Sequence, residues 1–433
     1  MNNFLGYIKE DKALKALLNR EPGVSGLSDN AESILFAAAF QKSKHNIIVV
    51  KPTLFAAQNL QQRISSLIDE KPLLFAVEES LQIEAIAASP ELEAARIETL
   101  IELARTDKPQ LVITHTGGIL RSLPAKKQFL ASMIELRKGQ TIAREGLIKK
   151  LQENGYELVD RVERPLTYSY RGEVLDVNTI QENNPLRIEF FDDQIDSIRF
   201  FDLDSQLTVS EVEEITIAPA TDLLFTAQQK EEIKNKVQEK LAIDLKKLDP
   251  DKQAILTETV RQDLEYLDNY VNEPYLYRYV SFLSQRYNLT DYLDQPLVIY
   301  ADEKGFKEHY RYQAEENISY LQDLFGEGKA LLKFDVSLSP ETLIDSEDTY
   351  DLAAFEDLKH PILSGIQPAD FPELPLDKAL KQIEYLSEQN TVLLALNSAQ
   401  VSQIVDKLVE KNIPYEHSGN SFPDKPGTNL RVK

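Results

Sequence analysis

Two β-branched runs, HNIIVVKPT at 45–53 and LVITHTGG at 111–118, constrain the first part of this chain more than any other feature. Each reads as a buried strand, and each ends in a breaker, Pro52 or the Gly117–Gly118 pair. Between them lie helical patterns, LFAAQNLQQRISSLI and SPELEAARIETLIELAR. Ser89 is placed to cap the second helix, with Pro90 in its first turn. Strand, helix, strand in that order predicts a parallel sheet with crossover helices.

From about 125 to 222 the pattern changes. An amphipathic helix, TIAREGLIKKLQENGY, precedes the short alternating segments ELVDRVE, YSYRGEVLDV, LRIEFF, IDSIRFF and EEITIAP. That pattern predicts a mostly antiparallel α+β domain. Residues 226 to about 293 are nearly all helix formers, and PLVIYADE then returns as a strand. After LIDSEDTYDLAAFEDLKHP, the segments PLDKALKQIEYLSEQ, TVLLALNS and AQVSQIVDKLVEKN predict a small helix–strand–helix unit. At 433 residues the chain exceeds one ordinary core, so an α/β multidomain protein is expected.

Composition narrows the chemistry. With 48 basic and 71 acidic side chains the formal net charge is -23, which argues against a grip on nucleic acid, since counterion release needs a basic track. The chain has no cysteine, excluding disulfides and thiolate zinc sites, and its five histidines show no i, i+4 pair. The absence of a bilayer-length apolar run and a charged, periodic start (MNNFLGYIKEDKALKALLNR) point to a cytoplasmic protein with no membrane contact. EPGVSGLSDNAESILFAAAF, at 21–40, places Gly23, Ser25, Gly26, Ser28 and Asp29 where a glycine-rich turn could cradle phosphate. The lysine and hydroxyl that a working P-loop needs are replaced by Asp29-Asn30-Ala31-Glu32, so nucleotide is not expected there. No catalytic constellation stands out, and neither a metal nor a cofactor is expected.

The feature that remains is the stretch PLRIEFFDDQIDSIRFF, at 185–201. Strand parity puts Ile188 and Phe190 on one face and Arg187, Glu189 and Phe191 on the other. With a turn at Asp192-Asp193, Ile198 and Phe200 join the core face, leaving Ser197, Arg199 and Phe201 outward. Arginine beside aromatic rings is the composition of an interaction hot spot. The competing reading packs Phe191 under a neighbouring helix and pairs the arginines with the chain's own acids.

Here the sequence resembles a known family. YSYRGEVLDV, NPLRIEFFDDQIDSIRFFDLDSQ and ITIAPATDLL follow the pattern shared by the excision-repair protein UvrB and the bacterial transcription-repair coupling factors (Mfd). The GVSGLS turn, LVITHTGGILRSLP and LIKKLQENGYELVDRVE fit as flanks, and the coupling factors fit better because UvrB has an intact P-loop. The pattern is departed from at Leu166-Thr167-Tyr168 and at Glu173. The resemblance implies a degenerate P-loop, helicase-like α/β domain split between 1–124 and 223–348, an inserted UvrA-binding α+β domain at 125–222, and a small α/β domain at 349–433. It implies UvrA as partner, contacted by Arg171, Arg187 and Phe191, with Arg199 and Phe201 as a possible rim. It further implies an intramolecular contact masking this surface in a longer protein. RNA polymerase, DNA, ATP and magnesium would engage only domains outside this chain. An alternative is a UvrB-like repair ATPase with an atypical phosphate loop.

Overall fold

The computed structural model describes residues 5–21, 23–344, 349–353, 362–366, 375–388, 390–394, 398–417 and 429–432. The chain divides into two compact units, one of Met1–Lys44, Asn59–Pro72 and Tyr350–Lys433, the other of His45–Gln58 and Leu73–Thr349. Much of the stretch at 343–361 and of the tail after 417 lies outside the described residues.

In the second unit both β-branched runs form strands, Ile47–Lys51 and Leu111–His115, paired in parallel. Leu297–Ala301 adds in parallel on one side and Leu73–Phe75 on the other. These central strands are buried almost throughout, which is why they read as apolar runs and not as alternating ones. The crossover helix Pro90–Arg105 begins as expected, with Ser89 Oγ accepting from the Leu92 N–H at 3.3 Å. It packs Ile97, Leu100 and Leu103 into the sheet's core.

In the first unit, Val24–Ser25 pairs in parallel with both Thr349–Ala353 and Ile362–Leu363. A separate parallel sheet joins Thr391–Leu394, Asn429–Val432 and Glu416–His417 beside the helices Leu376–Ser387 and Ser398–Glu410. The chain from 349 onward therefore serves two sheets.

The antiparallel region forms a six-stranded sheet, in the order Thr208–Glu211, Gln194–Phe201, Leu186–Phe191, Val174–Asn178, Thr167–Arg171, Glu157–Leu158. Only the last pair is parallel. One face carries a core of Tyr168, Leu175, Val177, Leu186, Ile188 and Phe190, closed by Leu147 and Leu151 of the helix Arg144–Glu153. Ile195 and Ile198 both face this core although they are three residues apart. A register shift between Ile195 and Ser197 absorbs the extra residue, as a β-bulge does.

Where the chain leaves this domain, Asp222 meets two arginines inside the protein. Arg121 Nε lies 2.5 Å and Arg96 Nε 3.2 Å from its Oδ2, while Arg121 Nη1 also reaches Glu84 at 2.9 Å. Burial pushes the Asp222 carboxyl up, but Arg121 and Arg96 outweigh it and hold the group at about 2. The native carboxyl thus titrates below its unfolded value of about 3.9, so its stabilisation is present above that pH and is lost as pH falls toward 2.

Two outcomes follow for urea denaturation. Phe190→Ala, at a site 3% exposed, should cost about 3 kcal/mol or more, and Phe191→Ala, 70% exposed, less than about 0.5 kcal/mol. Asp222→Asn should lower stability at pH 7 by about 3 kcal/mol, with the gap to the unaltered chain narrowing between about pH 4 and pH 2. A gap independent of pH would show that the carboxylate charge is not what holds the arginines.

Candidate protein-binding face

Two tight turns set the register of the sheet's outer face. Arg171 pairs with Val174 across Gly172-Glu173, and Gly172 takes φ +60°, a left-handed conformation that favours glycine. Phe191 pairs with Gln194 across Asp192-Asp193, with Asp192 at φ 53°. The registers then add up across the strands. Ser169, Asp176, Arg187, Arg199 and Glu211 form one row, and Arg171, Val174, Glu189 and Ser197 form the next. Strands about 4.8 Å apart therefore carry Arg171, Arg187 and Arg199 on one face, with Phe191 toward its tip.

Phe191 is the exposed member, at 70%. Arg171 is exposed as well, and its Nη2 donates to the Asp160 carbonyl at 2.9 Å. Arg187 is more committed. Its Nε and Nη2 donate to the two carboxylate oxygens of Asp176 at 2.8 Å each, Nη2 also donates to Gln206 Oε1 at 3.0 Å, and only 19% of the side chain is exposed. The Asp176 hydrogen bonds raise the guanidinium pKa against the opposing effect of burial, so Arg187 is held firmly charged. Arg199 pairs with Glu189, whose other oxygen accepts from Ser197 Oγ at 3.0 Å.

The structure corrects one sequence expectation. Phe201 shares the outer parity but is fully buried, with the Arg187 guanidinium stacked 4.2 Å above its ring. It is a platform under the arginine and offers no rim contact. Arg187 lies on the outer face as parity predicts, but it is tied to Asp176, itself only 14% exposed. The pairing of arginines with the chain's own acids and the outward placement of Phe191 hold together. Asp176 and Gln206 escaped the sequence reading. Asp176 comes opposite Arg187 through the register of the strands Val174–Asn178 and Leu186–Phe191, which are joined by the longer connection at 179–185 and not by a two-residue turn.

The glycine-rich turn lies elsewhere, between the strand Val24–Ser25 and the helix Asp29–Ser43. Gly23 and Gly26 adopt φ 110° and 71°. Ser28 Oγ caps the helix, accepting from the Ala31 N–H at 3.3 Å, and Ser25 is buried. Asp29 and Glu32 place carboxylates in the first turn, and Asp29 pairs with Arg63 at 2.9 Å. The strand–turn–helix order is that of a phosphate loop, yet the charge at the helix entrance is of the wrong sign for phosphate. Among the described residues no group of three or more acidic or histidine side chains is arranged to hold a metal, and no helix is long and apolar enough to cross a membrane.

Residues 134–223, the segment that builds the antiparallel sheet, match the family described as the UvrB interaction domain. The transcription-repair-coupling factor of Bacillus subtilis (strain 168) is 30% identical over 354 residues, covering 79% of this chain and 30% of that protein. Those of Staphylococcus aureus (strain bovine RF122 / ET3-1) and Staphylococcus haemolyticus (strain JCSC1435) are 26% identical over 406 residues and 27% over 333. These alignments cover 90% and 75% of this chain, and 34% and 28% of those proteins. The chain thus spans about a third of the length of the curated relatives it matches. By the pattern of its hairpin, its interaction domain and its likeness along most of its length, this chain belongs to the transcription-repair coupling factor family.

Proposed function

We propose that this chain is the N-terminal, UvrA-recruiting and autoregulatory module of a transcription-repair coupling factor. The observation that carries the reading is the outer face of the antiparallel sheet, where an exposed Phe191 stands beside oriented arginines inside a segment that matches the UvrB interaction domain. A solvated surface gains nothing from an exposed phenylalanine, whereas an interface gains desolvated area from it and charge-assisted hydrogen bonds from the arginines. Phe191, Arg187 and Arg171 are the contact residues in this reading, with Arg199 beside them. In the longer protein the same face is masked by an intramolecular contact until RNA polymerase is engaged. The ATP-driven DNA translocation that displaces stalled polymerase belongs to other parts of that protein, as do ATP, magnesium and DNA.

The strand–turn–helix order at Val24–Asp29 favours a second reading, a UvrB-like ATPase with an atypical phosphate loop. The carboxylates of Asp29 and Glu32 weigh against it.

Titration of UvrA with this chain separates the readings. Phe191→Ala, Arg187→Ala and Arg171→Ala should each weaken binding roughly thirtyfold or more, the effect of removing a hot-spot contact. Retained affinity in Phe191→Ala would move the interface off this face. Millimolar Mg-ATP should leave the melting temperature unchanged, because stabilisation by a ligand requires binding to the folded state. A saturable rise would revive the ATPase reading.

A further inference from the structure

Arg187 has one nitrogen to spare. A guanidinium carries five N–H donors in a plane. Asp176 takes Nε and one hydrogen of Nη2, and Gln206 Oε1 takes the other at 3.0 Å. The Phe201 ring covers one side of the plane. What remains is Nη1, with two donors and no protein acceptor among the described residues.

Gln206 is held in place by a turn that follows the strand. Asp202 Oδ1 accepts from the Ser205 N–H at 2.8 Å and from Ser205 Oγ at 2.7 Å. The Gln206 N–H donates to the Asp202 carbonyl at 2.8 Å, and the Asp202 N–H donates to the Leu207 carbonyl at 3.0 Å. Gln206 itself sits at φ 60°, a region that residues other than glycine seldom occupy. Its Nε2 donates to the Leu203 carbonyl at 2.8 Å, which fixes the amide so that its oxygen faces Arg187. A side chain held by backbone strain and bonded at both ends of its amide is one whose orientation matters.

We propose that Gln206 is a positioning residue for partner recognition, locking Arg187 with Asp176 and Phe201 so that Nη1 meets a carboxylate of the partner protein. The proposal rests on the reading of this face as the UvrA-docking surface. A carboxylate is the matching acceptor because Nη1 belongs to a cation and Arg171 and Arg199 lie on the same face. The neutral amide also explains why residue 206 is not an acid. Asp176 already balances the charge of Arg187, and a second carboxylate at 206 would leave the group net negative and repel the partner. An amide holds the guanidinium plane without adding charge.

The test is a double-mutant cycle on the whole 433-residue chain with UvrA as the probe. Gln206→Ala should weaken binding roughly threefold to tenfold in the otherwise unaltered chain, and less than about twofold when Arg187 is already Ala or Lys. Arg187→Lys keeps the cation, so it supplies a usable background if Arg187→Ala does not fold. Gln206→Glu keeps the oxygen but adds charge, and should also weaken binding, more so at low salt. Phe191→Ala should cost the same with and without Gln206. An equal loss from Gln206→Ala in every background, or no loss at all while Phe191→Ala still weakens binding, overturns the positioning role alone. Failure of the unaltered chain to bind UvrA overturns the docking reading and this proposal together.

Discussion

A β-sheet with one face buried tolerates no slip of a single residue, because the side-chain period is two. In this chain a one-residue slip of the Leu186–Phe191 strand would exchange Phe190, 3% exposed, for Phe191, 70% exposed. It would also turn Ile188 outward and drive Arg187 and Glu189 into an apolar core. Each of those moves costs free energy separately, so the hydrophobic face sets the polar face as its by-product. The two tight turns and the bulge near Asp196 bring neighbouring strands into the same phase. Everything proposed for the outer face depends on that phase.

The pattern was legible where one physical signal dominated. Burial on both faces wrote Ile47–Lys51 and Leu111–His115 as apolar runs, and burial on one face wrote Leu186–Phe191 as an alternation. Ser89 and Pro90 marked a helix start because capping chemistry is local. Phe201 was misread because parity tells which way a side chain points and is silent about what lies over it. Here the cover is Arg187, fourteen residues earlier in the chain and on the adjacent strand. The buried cluster of Arg96, Arg121, Glu84 and Asp222 was invisible for a related reason. Its members come from four separate segments, and nothing local distinguishes them from the other charged residues of an acidic chain.

The arginines of the outer face also change what kind of interface they can make. An arginine waiting in water must shed its hydration and order its side chain when a partner arrives. Arg187 has already done most of both, since Asp176, Gln206 and Phe201 enclose it in the unbound chain. The ordering entropy is then charged to folding and not to association. The cost appears elsewhere, because an arginine that already shares its charge with Asp176 attracts a partner carboxylate less strongly over distance. Such a surface favours a partner that fits over one that merely carries the opposite charge.

That consequence reconciles the face with the acidity of the whole chain. With a formal net charge of -23, long-range repulsion would oppose any acidic partner, and an unpaired arginine patch would be open to the protein's own acids in many geometries. Pairing Arg187 with Asp176 and Arg199 with Glu189 selects one geometry for each in advance. Phe191 then supplies what a screened charge cannot, an apolar area that gains free energy only when another surface covers it closely. Recognition at short range by shape and directed donors, with little help from long-range charge, is what the composition permits and what the register of the sheet builds.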